Sequence, residues 1–309
     1  SSPALVRVLK IILTTAFILL GLAVIFSSHK MDKYSFQTQW QNYEILDNET
    51  TIYGHITVAK LKDNISFFEN GYLMFTYPDL FYAEEAVHFA LLEHPNPQSV
   101  LLIGGGTGGS LNQILTHQQV RHVDYVELDP EIIRLSSKYL PSGEQGVIHD
   151  SRVNVYYTDG RLYVKKTEQK YDVVIINLPD PHTTQINRFY TLEFYQQVKT
   201  ILTDDGVTAF SVTSSENVIG DELATFLSSL LTTLQKVFPD IILIPGDTNH
   251  FISCKSSGII TTNPDILVSR LQERNLKTTY VREYYIPFRL STDRTTSLRN
   301  RLSEITDTK

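Results

Sequence analysis

The run Val100-Leu-Leu-Ile-Gly-Gly-Gly-Thr-Gly-Gly109 constrains this chain more than any other segment. A short apolar strand ends in glycines, and a second apolar run closes on Val126-Glu-Leu-Asp129 about 22 positions later. Glycines permit a sharp strand-to-helix turn and let backbone approach a ligand, while a carboxylate at the tip of the second strand accepts ribose hydroxyls. Gly104, Gly106 and Gly109 fit the G-x-G-x-x-G spacing. That pattern alone is shared by nicotinamide- and flavin-binding proteins, and it also suits a tight turn with no ligand.

Beyond residue 99 the pattern repeats. Apolar runs Val100–Ile103, Val123–Leu128, Val153–Tyr157, Tyr171–Ile176 and Val207–Val212 alternate with helix candidates Ser110–Thr116, Pro130–Tyr139, Arg161–Lys166 and Leu192–Leu202. Asp204-Asp-Gly206 is expected to close the last helix. Uniformly apolar strands separated by helices predict an α/β fold with a parallel sheet covered on both faces. A helix at about 221–237, an antiparallel pair at Ile241–Ile244 and Phe251–Cys254, and a helical tail follow. Two further acids sit where such a sheet places its reacting groups: Asp159 in Thr158-Asp-Gly-Arg161, and Asp180 in Asn177-Leu-Pro-Asp-Pro181. A dinucleotide oxidoreductase has no need of them.

The amino-terminal part differs. Leu5 to Phe26 is almost wholly apolar, with Arg7 and Lys10 near its start. As a helix it extends about 33 Å, enough to span a bilayer. No cleavage box follows in Ser27-Ser-His-Lys-Met-Asp-Lys33, so a membrane anchor over residues 1–30 is favoured above a cleaved signal or a buried helix. Basic residues flank both ends and leave orientation open. Residues 31–48 read as a polar connector with Trp40. Residues 49–78 read as a small antiparallel β unit, with Glu69-Asn-Gly71 as a hairpin turn, and 79–309 as the α/β domain.

The net charge of −7, with no basic run, argues against nucleic acid as a partner. The lone Cys254 lies in an apolar run and reads as a buried structural thiol, and the nine histidines show no metal spacing, so no metal is expected.

From about Thr50 to Cys254 the sequence resembles the spermidine synthase family, the polyamine aminopropyltransferases. The likeness is carried by Tyr82-Ala-Glu84, His94-Pro-Asn-Pro97, the 100–109 loop, Val126-Glu-Leu-Asp-Pro130, Lys138-Tyr-Leu-Pro141, Asp159-Gly160, Asp180-Pro181 and Phe194-Tyr195. The segment Asp180-Pro-His-Thr-Thr-Gln-Ile-Asn-Arg-Phe-Tyr190 is similar to the membrane-embedded branch of that family. The resemblance implies an S-adenosylmethionine-methyltransferase-type Rossmann-like sheet. It also implies decarboxylated S-adenosylmethionine, or the intact nucleotide, as co-substrate and a small amine acceptor. Gly104, Gly105, Gly106, Thr107 and Gly108 would hold the nucleotide's linking segment, Glu127 its ribose, and Asp159 with Gly160 its adenine. Asp180, Asn177 and Tyr82 fall at catalytic positions, with Glu84 and Asp247 toward the acceptor.

Departures from the pattern bear on activity. The family's glycine loop carries an acid that holds the aminopropyl ammonium, and here it is Thr107. The motif after the fourth strand opens with an Asp that deprotonates the amine, and here it is Asn177. A nucleotide-positioning Gln aligns with Thr50 or Thr51, and a late-loop Tyr aligns near Asp247. Three functions stay open: aminopropyl transfer through a diverged site, methyl transfer from intact S-adenosylmethionine, or a catalytically silent binding module on the membrane. Asp180 is a ligand or base for the amine, or a turn-former before Pro181. Tyr82 is a pocket hydroxyl or a core residue. His182 reads as a solvated loop histidine, and Arg161 and Arg188 as surface or capping groups. The supply of S-adenosyl nucleotides favours a cytosolic domain, with the opposite orientation open. Soluble relatives pair through the β unit and sheet edge, which suggests a homodimer or a membrane complex.

Overall fold

The computed structural model describes residues 3–141, 146–216 and 218–307. Helix α1 (Pro3–Gln39) leads to four strands: β1 (Glu44–Thr50), β2 (His55–Leu61), β3 (Asn64–Glu69) and β4 (Tyr72–Tyr77). Helix α2 (Leu80–Glu93) opens the larger unit of β5 (Ser99–Ile103), α3 (Ser110–Thr116), β6 (His122–Glu127), α4 (Pro130–Tyr139), β7 (Val153–Tyr157), α5 (Gly160–Lys166) and β8 (Tyr171–Ile176). Then come α6 (Thr184–Asn187), α7 (Leu192–Ile201), β9 (Leu202–Thr213), α8 (Asp221–Gln235), β10 (Asp240–Ile244) and β11 (Thr248–Cys254). Helices α9 (Pro264–Glu273), α10 (Tyr285–Arg289) and α11 (Thr292–Asp307) end the described chain.

Seven strands form one sheet in the order β10-β11-β9-β8-β5-β6-β7. Strands β5 to β9 run parallel, and β11 pairs antiparallel with both β9 and β10. Successive residues of β5 enter opposite cores: Val100 and Leu102 pack with α2 and α3, Leu101 and Ile103 with α7 and α8. That is why these strands read as apolar throughout. Strand order reverses at β5, which has β6 on one side and β8 on the other. The reversal opens a crevice beyond the carboxyl ends of β5, β6 and β8.

Two local expectations change. Helix α1 spans 37 residues and runs through most of the segment read as a connector. With no Gly or Pro between Gly21 and Gly54, nothing in that polar stretch stops a helix. It ends where Trp40 packs edge-on against Phe68, ring centroids 4.7 Å apart. Its segment Val6–Val24 is exposed, with mean hydropathy 2.1, long and apolar enough to cross a membrane. The β unit begins at Glu44, because β1 is a largely polar edge strand without visible alternation. Thr51 to Gly54 form a turn in which the Thr51 hydroxyl accepts the amides of Tyr53 and Gly54. The acids expected to close the preceding helix, Asp204 and Asp205, lie inside β9.

The small sheet packs through Ile56, Val58 and Phe67 on Ile132, Leu135 and Leu140, at and beyond α4. This contact holds β4 beside the crevice. Cys254 is buried, and burial pushes its thiol up.

Candidate active site

The glycine loop is held between its neighbouring strands. The Gly104 amide donates to the Val126 carbonyl at 3.0 Å, and the Asn177 amide to the Ile103 carbonyl at 2.9 Å. Gly104 and Gly105 adopt φ of 72° and 66°, a left-handed conformation that a Cβ disfavours. A Cβ at Gly105 would stand 2.3 Å from Asn177 Nδ2. Gly106 packs against the Tyr125 ring rather than facing the pocket.

Glu127 is buried at the end of β6. Its carboxylate accepts the Tyr125 hydroxyl at 2.8 Å and the Leu128 amide at 2.9 Å. Burial pushes its pKa up to about 7, against the pull of those donors. A carboxyl whose folded pKa exceeds its unfolded value of 4.5 contributes full stability below pH 4.5. As pH rises toward 7 the unfolded chain ionises first and stability falls, by about 3 kcal/mol for this group. Urea unfolding in detergent across that window should show a flatter pH profile for Glu127→Gln than for the parent. Equal slopes would show that Glu127 titrates normally.

Asp159 caps α5, accepting the Arg161 and Leu162 amides at 2.8 and 3.2 Å, and its second oxygen pairs with Arg188. Gly104, Glu127, Asp159, Gly160 and Arg188 line one chamber. Gly105, Thr107, Gly108, Tyr82 and Asn177 line a second, which shares Gly104, Glu127 and Met74 with the first. The positions assigned to the nucleotide, Gly106 excepted, therefore lie along one connected space.

A cavity of about 410 Å³ adjoins it, bounded by β4, the loop after β8 and the end of β9. Glu69, Asp79 and Asp180 line it, and no Lys or Arg among the described residues does. Tyr82 lines both spaces, and Asn177 lines the second chamber beside it: Asn177 accepts the Tyr82 hydroxyl at 3.3 Å and donates to Ser110 Oγ at 2.7 Å. An amide wired this way takes up no proton. Asp180 accepts the Thr213 amide at 3.0 Å, and its other oxygen lies 3.8 Å from His182 Nε2. His182 is exposed on its loop, as expected, and its ring also stacks on Tyr72 of β4 with centroids 5.8 Å apart. Burial pushes the Tyr82 phenol up; a bond to Ser211 opposes the shift and Asp180 adds to it.

Some expected residues lie elsewhere. Glu84 is buried and accepts the backbone amides of Thr279, Tyr280 and Val281 at 2.7 to 2.9 Å. Two positions beyond Tyr82 on a helix, its side chain points to the opposite side. Asp247 is exposed and accepts the Glu216 amide at 3.1 Å, while its neighbour Thr248 reaches the cavity. The Thr51 hydroxyl donates to Asp129 at 2.5 Å and Thr50 contacts His55; neither lines the chambers, whereas Glu69, Met74 and Phe75 of the hairpin do. Arg161 lies over the Phe194 ring, whereas Arg188 enters the nucleotide chamber. Sequence reasoning missed Glu69 and Asp79, one read as part of a turn and the other at the first position of the α/β domain; Asp79 caps α2 as well as lining the cavity. His94, Asp172 and Asp205 have metal-like spacing at the opposite end of the sheet, but Asp172 already accepts the Gln98 and Ser99 amides.

An open parallel sheet with this cradle at its reversal point defines a Rossmann-like domain of the methyltransferase type. Comparison narrows the class: the spermine/spermidine synthase domain matches residues 79–257, and the chain belongs to that family. A polyamine aminopropyltransferase of Pyrobaculum calidifontis is 36% identical over 184 residues, covering 58% of each chain. One from Pyrobaculum neutrophilum is 30% identical over 239 residues, covering 73% of this chain and 80% of its own. With the Pyrobaculum aerophilum protein, 41% identical over 135 residues, the match covers 42% of this chain and 46% of the relative, so the chain spans about half the length of such relatives. A spermidine synthase crystallised with the transition-state analogue AdoDATO superposes with a TM-score of 0.72 at 25% identity, covering 84% of this chain and 88% of that one. The Thermotoga maritima spermidine synthase gives 0.69 at 26%, covering 84% and 87%.

Proposed function

We propose that the protein is a membrane-anchored transferase that moves the aminopropyl group of decarboxylated S-adenosylmethionine to an amine, with Asp180 receiving the acceptor's proton. The observation that carries this reading is the acidic cavity, without Lys or Arg, opening onto the nucleotide chambers. A cationic acceptor is attracted into such a space and an anionic one repelled. The relatives named as polyamine aminopropyltransferases and the AdoDATO complex support the same chemistry.

In this mechanism Glu127 accepts the ribose hydroxyls, and Asp159 accepts the adenine amino group once Arg188 yields its oxygen. The acceptor's nitrogen lone pair attacks the methylene carbon bound to the sulfonium. The carbon–sulfur bond breaks, methylthioadenosine leaves as a neutral thioether, and the new ammonium passes one proton to Asp180. Most of the acceleration comes from in-line alignment, because the sulfonium is already a strong electrophile. Asn177 and Tyr82 align the amine through hydrogen bonds. Helix α1 holds the domain at the membrane, on the cytosolic side where S-adenosyl nucleotides are made.

Calorimetry of the full chain in detergent tests this with decarboxylated S-adenosylmethionine, the intact nucleotide and methylthioadenosine. Binding of the decarboxylated form with aminopropyl transfer to a diamine is the expected result, and no binding of any of the three would sink it. Thr107, with no acid to hold an ammonium, favours a second reading, methyl transfer from the intact nucleotide. Tight binding of that form alone would establish it. Thr107→Asp with Asn177→Asp should raise aminopropyl transfer at least tenfold by restoring two attracting charges. An unchanged rate would show that those positions do not limit the reaction.

A further inference from the structure

Arg289 closes α10, in the tail that follows β11, and its side chain is buried. The guanidinium has four partners. It pairs with the Glu85 carboxylate, donates to the Tyr285 hydroxyl at 2.8 Å, and reaches the backbone carbonyls of Pro245 and Thr248, each at 3.0 Å. Glu85 is buried too, and it also accepts the Tyr285 hydroxyl at 2.8 Å. His250 Nε2 lies 3.5 Å from its other oxygen, but burial pushes that imidazole down to about 4. At neutral pH it is therefore Arg289 that offsets Glu85.

Both ends of this pair lead to the proposed acceptor cavity. Glu85 stands one turn beyond Tyr82 on α2 and shares a small space with Asn177 and Ser211, the two groups that bond the Tyr82 hydroxyl. At the other end, the carbonyls held by Arg289 bracket Gly246 and Asp247. A Cβ at Gly246 would stand 2.7 Å from Arg289 Nη2, so the turn lies directly against the guanidinium. This turn is bonded to the end of β9: Thr248 pairs with Thr213, and the Asp247 carbonyl accepts the Ser214 amide at 2.7 Å. The Thr213 amide in turn donates to Asp180 at 3.0 Å. Tyr82 and Asp180 thus sit on separate elements, and one side chain ties the support of the first to the support of the second. A buried ion pair adds little stability over apolar packing of the same volume. What apolar packing cannot do is bond two carbonyls with one rigid, planar fork.

We infer that Arg289 is a positioning residue, which fixes the spacing between Tyr82 and Asp180 across the cavity by holding the 245–248 turn to helix α2. The inference rests on the transferase reading for the roles of Tyr82 and Asp180. Its physical content is a restraint on the turn that can be read without turnover.

The test uses the full chain in detergent with two variants, Glu85→Met combined with Arg289→Met, and Arg289→Lys alone. The first removes both charges together, so neither is left buried without its partner. The second keeps a charge beside Glu85, but its one nitrogen cannot replace the fork on both carbonyls. In each, kcat for aminopropyl transfer should fall roughly tenfold to a hundredfold, as expected when reacting groups are misplaced from a distance. Affinity for methylthioadenosine should stay within about threefold, because the nucleotide chambers do not touch Arg289. Hydrogen exchange should quicken at residues 213–214 and 246–248 and remain at the parental rate in β5 and β6. Thermal unfolding verifies folding, and Arg289→Lys carries the test should the double variant unfold. An unchanged kcat or unchanged exchange at the turn in a folded variant overturns the inference. An equal loss of nucleotide affinity, or faster exchange throughout the sheet, also overturns it by showing a general structural role. A parent without aminopropyl transfer sinks the transferase reading instead, and the exchange pattern then decides whether Arg289 restrains the turn.

Discussion

Gly105→Ala should abolish nucleotide binding and lower stability by roughly 2–5 kcal/mol, the sum of a left-handed backbone penalty and an overpacking term. The residue sits at φ 66°, and a Cβ there would fall 2.3 Å from Asn177 Nδ2 and 2.6 Å from its Cγ. Either the loop turns away from the chambers or Asn177 leaves its bonds to Tyr82 and Ser110. Both routes displace the backbone that faces the nucleotide. Thermal unfolding and calorimetry with methylthioadenosine read the two losses separately. Gly146→Ala provides the control, since nothing lies within 4 Å of its added Cβ and its φ is not positive. If Gly105→Ala binds methylthioadenosine within threefold of the parent, the loop is not the cradle.

Asp180→Asn should lower aminopropyl transfer about 10²- to 10⁴-fold, the range expected for loss of a positioned general base. Nucleotide affinity should stay within a few-fold. The substitution preserves shape: the amide oxygen still accepts the Thr213 amide now bound at 3.0 Å. What disappears is the negative charge and the site for the proton. Steady-state kinetics beside calorimetry would separate these effects, because loss of the proton's site lowers kcat while nucleotide affinity holds. More than a tenth of the parental rate in Asp180→Asn would exclude this residue as the base. Glu69 or Asp79, the other acids lining the cavity, would then be the groups to vary.

The sheet was legible because its signals are local. Strands β5 and β8, buried on both faces, are apolar at nearly every position, and they and the edge strand β7 were readable to within a residue. Helices α3 and α4 show their starts as a glycine turn and an Asp-Pro cap. Strand β1 was not legible, since an exposed edge strand needs no apolar residues. The far end of α1 was hidden too, because a polar stretch without Gly or Pro reads equally well as helix or linker.

The site divides along the same line. Glu127, Asp159 and Asp180 stand at strand ends, where the order of elements alone assigns a place in the crevice. Glu84 lies two residues from Tyr82 in sequence, yet it holds the loop at 279–281, a contact almost 200 positions away. Glu69 belongs to a different sheet altogether and meets the cavity only because that sheet packs on α4. His182 stacks on a strand more than a hundred residues earlier.

The glycine run and the acid 22 positions beyond it by themselves determined that a parallel sheet forms and that these residues meet at its reversal point, where the nucleotide is proposed to bind. Those features depend on backbone conformation and burial within one βαβ unit, which short segments encode directly. Tertiary structure alone decided the content of the neighbouring cavity: three carboxylates with no Lys or Arg among the described lining residues, brought together from β3, the start of α2 and the loop after β8. Charge on a surface is set by everything that folds onto it, and no window of sequence contains those distant contributors.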